Sequence, residues 1–150
     1  MENLFEVNEV KLTYRTKQKA SERPQINNSK TIYELLLKCF DADTIELKES
    51  FKVLLLNNGN RVLGLLNVSE GGITGTIVDA RLIMQSVILS NATRIVMAHN
   101  HPSGNLTPSV QDTFITNRIK QACNLMDIEM LDHLIITPEN FYSFADEGLL

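Results

Sequence analysis

Between Phe51 and Val68 the chain commits itself to a β-hairpin. Phe51-Lys52-Val53-Leu54-Leu55-Leu56 is a short, nearly continuous apolar run, the pattern of a buried strand. Asn57-Asn58-Gly59-Asn60 follows, and Asn and Gly supply the backbone freedom that tight hairpin turns need. Arg61-Val62-Leu63-Gly64-Leu65-Leu66-Asn67-Val68 is the return strand, and Ser69-Glu70-Gly71-Gly72 breaks it.

Elements of both kinds surround this hairpin. Phe5 to Leu12 reads as a strand. Asn28 and Ser29 offer N-caps to a helix over residues 30–40, with Ile32, Leu35, Leu36 and Cys39 on its inner face. Asp79 caps a helix running to about Ser90, with Ile83, Val87 and Ile88 facing inward. Arg94 to Ala98 is a short buried strand, and a Pro- and Gly-bearing loop spans His99 to Pro108. A helix from Ser109 to about Met126 places Val110, Phe114, Ile115, Ile119 and Ala122 on one side. Glu129 to Thr137 is a strand, and Phe141 to Phe144 adds a last short one. The order β, α, β-hairpin, α, β, α, β predicts an α/β or α+β fold, a mixed sheet flanked by helices.

Composition narrows the class. A chain of 150 residues suits a single domain that buries roughly two-thirds of its unfolded surface. Cys39 and Cys123 are too few for a disulfide framework, and neither lies in a CxxC pair. No apolar run reaches the ~18–20 residues of a membrane span, and MENLFEVNEVK has no signal-peptide core. A soluble cytoplasmic protein is the default. The net charge of −4 argues against a dedicated nucleic-acid binder, but it is unevenly spread. Residues 1–10 carry −3, residues 11–30 carry +5 and residues 31–150 carry −6. Residues 1–30 therefore read as an N-terminal strand and a basic linker arm whose second half packs loosely, and residues 31–150 as the main domain.

The chemistry concentrates where the buried strand ends. His99-Asn100-His101-Pro102 holds two of the chain's three histidines, and Ser109 and Asp112 open the next helix. In extended backbone residues i and i+2 share a side, so both imidazoles can face one point. Asp112 in the first helical turn can face back to them. Two imidazoles and a carboxylate form the ligand set of an open zinc site, with a fourth position for water. The bland readings are an accidental H-x-H pair and a Ser-x-x-Asp capping box. Asp132 and His133, adjacent in a strand, point to opposite faces. His133 is then either a hydrogen-bonded structural histidine or a partner that orients the zinc site. Cys123 reads as core.

H-x-H-P, six residues, Ser, two residues and Asp resembles the JAMM (MPN-plus) metalloprotease motif, through His99, His101, Pro102, Ser109 and Asp112. HNHPSG, LDHLIIT, Gly75-Thr76 and SFADEGLL are similar, more narrowly, to the RadC-like branch, over roughly residues 49–150. The resemblance implies a cytidine-deaminase-like, MPN-type sandwich and a Zn²⁺-dependent hydrolase of peptide or isopeptide bonds, with a protein or peptide substrate. It implies His99, His101 and Asp112 as zinc ligands and Ser109 as the group that hydrogen-bonds the oxyanion. It also requires a glutamate from an earlier strand as general base. Glu49 is the best match and Glu70 the rival. Asn100 departs from the Ser or Thr usual in the deubiquitinases. Residues 1–48 lack the helix-hairpin-helix domain of longer RadC-like proteins, so only the basic stretch 11–30 offers DNA contacts. Two further readings follow: a non-catalytic interaction module, and a DNA-repair factor in line with the branch's historical name.

Overall fold

The computed structural model describes residues 15–72 and 75–150. The predicted strand from Phe5 to Leu12 lies outside them. A short 3₁₀ turn spans Ala20–Glu22. The hairpin forms as β1 (Ser50–Leu56) and β2 (Val62–Glu70), and Ser69 and Glu70 extend β2 opposite Phe51 and Ser50 rather than breaking it. The remaining strands are β3 (Arg94–Asn100), β4 (Glu129–Ile136) and β5 (Phe141–Ser143), in the sheet order β2-β1-β3-β4-β5. Among the described residues only the β3–β4 pair is parallel, and a helix supplies the crossover that parallel neighbours require. The other pairs are antiparallel, which makes the sheet mixed.

Strand periodicity divides the core in two. Phe51, Val53 and Leu55 on β1 and Ile95 and Met97 on β3 face α2 (Ala80–Leu89) and α3 (Val110–Leu125). The alternate residues, Leu54, Leu56, Val96 and Ala98, face α1 (Ser29–Leu37) and the turns after it. Both faces of β1 are covered, which is why its sequence is apolar without alternation. The architecture, a five-stranded mixed sheet flanked by three helices, agrees with the MPN-type sandwich that the resemblance implies.

Several local expectations need correction. Ile88 on α2 and Val110 and Phe114 on α3 are exposed. The buried stripe of α3 is Asp112, Ile115, Thr116, Ile119 and Cys123, so the helix turns a partly polar face inward at its start. His99 and Asn100 belong to β3 rather than to a loop, because β3 continues its pairing with Ile135 and Ile136 of β4. Cys39 is half-buried and donates its thiol proton to the Leu35 carbonyl. The second half of the basic stretch does not pack loosely from Pro24 onward. Val62 donates to the Pro24 carbonyl, Gln25 bridges Arg61, and Ile26 is buried.

Candidate metal centre

The alternation that builds the core also builds the site. Glu49, Phe51 and His99 fall on the sheet face that covers α3, and Phe51 and His99 are register partners with stacked rings. After Asn100 the chain leaves the sheet through a turn in which Gly104 donates to the His101 carbonyl. Gly104 has φ +81°, a left-handed conformation that glycine adopts without the steric cost of a Cβ. His101 Nδ1 lies 2.6 Å from the Asn105 carbonyl oxygen, which can only accept, so the imidazole donates there. Ser109 and Asp112 form a reciprocal capping box at the start of α3. Asp112 N–H donates to Ser109 Oγ at 3.0 Å, and Ser109 N–H donates to Asp112 Oδ2 at 2.7 Å.

These elements bring His99, His101 and Asp112 together. The two Nε2 atoms are 3.0 Å apart, His99 Nε2 is 3.2 Å from Asp112 Oδ1, and His101 Nε2 is 3.3 Å from Asp112 Oδ2. Donor separations of this size suit a small divalent cation. Zinc bonds of about 2.0–2.1 Å place tetrahedral ligand atoms roughly 3.3 Å apart. The donor chemistry fits as well, since imidazole and carboxylate are both zinc ligands. The same pull acts on protons. Hydrogen bonding to Asp112 raises the His101 pKa, with burial opposing and the Asn105 carbonyl assisting. Burial pushes the Asp112 carboxyl up, but hydrogen bonds from His101 and His99 and the Ser109 N–H hold it well below the usual carboxylate range.

Beside this group lies a cavity of about 590 Å³, lined by Glu49, Thr76, His101, Ser109, Asp112 and Arg118 among others. Glu49 is half-buried at its rim. Burial raises its pKa, His99 and His101 pull it down, and Asp112 pushes it up again. Glu70 sits elsewhere. As the partner of Ser50 it lies on the opposite face of the sheet, where it pairs with Lys48 at 2.6 Å. That hydrogen bond lowers its pKa and marks it as an exposed surface acid.

One contribution was not read from the sequence, that of Asn100, and the two readings of His133 meet in the same place. Asn100 is wholly buried and faces away from the two histidines that flank it. Its Oδ1 accepts from Ser50 N–H at 2.7 Å, and its Nδ2 donates to the carbonyls of Ile45 and Lys48 at 2.6 and 2.9 Å. The end of β3, between the two histidines, thus holds the backbone on both sides of Glu49. His133, wholly buried on β4, stands with its Nε2 at 2.9 Å from His99 Nδ1, and burial drives its pKa well below the ordinary histidine value. All three histidines of the chain therefore form one connected group. Asp132 does face the other way, accepting from Ser143 Oγ at 2.6 Å and from Ala145 N–H at 3.0 Å.

A family profile described as a RadC-like JAB domain matches residues 26–149, which include the whole site. The chain belongs to this family. Its RadC-like relatives include a UPF0758 protein of Flavobacterium johnsoniae, 50% identical over 101 residues, which are 67% of this chain and 44% of that protein. A UPF0758 protein of Porphyromonas gingivalis is 44% identical over 69% of this chain and 46% of its own length. The UPF0758 protein YeeS of Escherichia coli is 44% identical over 69% of this chain and 70% of its own length. The match with this RadC-like chain thus spans less than half of the first two relatives. Among the described residues no helix is long and apolar enough to cross a membrane.

Proposed function

We propose that this RadC-like domain is a zinc-dependent hydrolase of peptide or isopeptide amide bonds. The observation that carries the reading is the convergence of two imidazole Nε2 atoms and the Asp112 carboxylate within 3.0–3.3 Å of one another, beside a cavity that Glu49 and Ser109 also line. His99, His101 and Asp112 would hold the ion. When bound, zinc supplies Lewis acidity, which makes a water a competent nucleophile near neutral pH.

The chain's own groups supply the rest. Glu49 takes the proton of the attacking water on its carboxylate and returns it to the leaving amine. Its partial burial and raised pKa suit that double duty better than the solvated, lysine-paired Glu70. Ser109 Oγ already accepts from Asp112 N–H, so its hydroxyl proton is left to donate to the oxyanion that forms on the substrate carbonyl. A protein or peptide chain enters along the cavity beside Thr76 and Arg118. Two cysteines without a disulfide suit a cytoplasmic location.

Metal analysis and turnover test the reading together. The purified protein should carry about one zinc per chain, and His99→Ala should lose it. Glu49→Gln should keep the zinc and lose cleavage across a panel of peptide and isopeptide substrates. A wild type without zinc, or a Glu49→Gln protein as active as wild type, would refute the proposal.

A further inference from the structure

The proposed hydrolysis makes no use of His133, yet this residue is among the most completely enclosed polar groups in the fold. Its ring stacks on Phe144, with centroids 4.9 Å apart and planes at 11°, and lies 5.5 Å from the Phe51 ring. Both ring nitrogens have partners: His99 Nδ1 at 2.9 Å and Thr116 Oγ1 at 2.6 Å.

The direction of these hydrogen bonds follows from Thr116. Its Oγ1 is 2.6 Å from the main-chain carbonyl oxygen of Asp112 and 2.6 Å from His133 Nδ1. A carbonyl only accepts, so the one hydroxyl proton goes to Asp112. The hydroxyl oxygen then accepts from His133, which must carry its proton on Nδ1. A neutral imidazole protonated there has a bare Nε2, and that atom accepts from His99 Nδ1–H. His99 is left with a bare Nε2, aimed at His101 and Asp112. The chain of bonds starts on the backbone of one proposed ligand and ends on the ring of another.

We infer that Thr116 and His133 are positioning residues for the metal, which lock His99 in the tautomer that presents its lone pair and thereby set metal affinity. This rests on the zinc reading above. Removing the Thr116 hydroxyl frees His133 to carry its proton on Nε2 and donate to His99 Nδ1. His99 then protonates on Nε2, the atom the metal needs. A purely structural role would alter stability and leave metal affinity where it was.

The test is a competition titration with Zn²⁺ alone against a chromophoric chelator, for wild type, Thr116→Val and Thr116→Ser. Valine keeps the shape of threonine without its hydroxyl, and serine keeps the hydroxyl. Thr116→Val should bind zinc roughly 10–100-fold more weakly, the usual cost of losing a hydrogen-bond partner behind a ligand, while Thr116→Ser stays close to wild type. If valine is not accommodated, Thr116→Ala removes the same hydroxyl with less bulk and repeats the comparison. Equal affinity in wild type and the hydroxyl-free variant would overturn the inference and leave the zinc reading standing. So would a serine variant as weak as valine. A wild type that binds no zinc would overturn the zinc reading itself, and the inference with it.

Discussion

Asn100 stands between His99 and His101, two of the proposed ligands, and turns its own side chain to the other face of the sheet. That placement follows from strand alternation alone. What the alternation does not dictate is its three hydrogen bonds to the backbone of residues 45–50, which hold Glu49 against the site. Asn100→Ala should therefore keep its zinc, lose turnover and fold less stably, since each buried backbone group left unpaired costs about 1–3 kcal/mol. Metal analysis and urea unfolding on the same preparation would check both halves. Glu49 adds a pH signature. Burial raises its pKa above the 4.5 of an ordinary glutamate, and a base must be ionised to work. The kcat/KM profile should accordingly have an acidic limb, on which activity falls as the Glu49 carboxylate takes up a proton. The cluster of His99, His101 and Asp112 was legible because H-x-H and Ser-x-x-Asp are local spacings. Asn100 and Thr116 were not, because their partners lie 50 and 17 residues away for Ser50 and His133.

Elements were legible where their period was unambiguous. β1 is covered on both faces and announces itself by unbroken apolarity. α3 misleads because Val110 and Phe114 continue an apparent stripe that the helix leaves in solvent, while Asp112 and Thr116 are the residues turned inward. Hydrophobic spacing cannot see a polar face that is buried for the sake of a site. Asp132 poses the same problem on β4. It ties that strand to Ser143 of β5 and to the turn at Ala145. Asp132→Ala should destabilise the fold by about 1–3 kcal/mol, measured by urea unfolding, because the Ala145 N–H and the Ser143 hydroxyl lose their acceptor. Burial also raises the Asp132 pKa above 3.8, against the pull of its hydrogen bonds. The folded state then holds this proton more tightly than the unfolded chain. Stability from this residue is full below pH 3.8 and is lost as pH rises through the raised value. Asp132→Asn should flatten that slope.

At the scale of the molecule, β3 carries His99, the turn that follows it carries His101 and α3 carries Asp112, and β4 closes the group from behind through His133. A metal that bridges a strand and a helix binds the folded chain and not the unfolded one. Free zinc at about 100 times its dissociation constant should add roughly 2.7 kcal/mol of stability, and a chelator should remove it. The mixed sheet and the order of its elements were readable because the turns and caps that separate them are strong signals. The register that sets Phe51 opposite His99 was not, since pairing across 48 residues is set by packing rather than by local pattern, and Glu49 was reached only through the family resemblance. The account as a whole depends on one ion in one place. Crystals of the zinc-loaded protein, measured across the zinc absorption edge, test this most directly. The account predicts a single anomalous peak about 2.0–2.2 Å from His99 Nε2, His101 Nε2 and an Asp112 carboxylate oxygen. A zinc-loaded crystal with no peak there, or with its peak elsewhere, would contradict it.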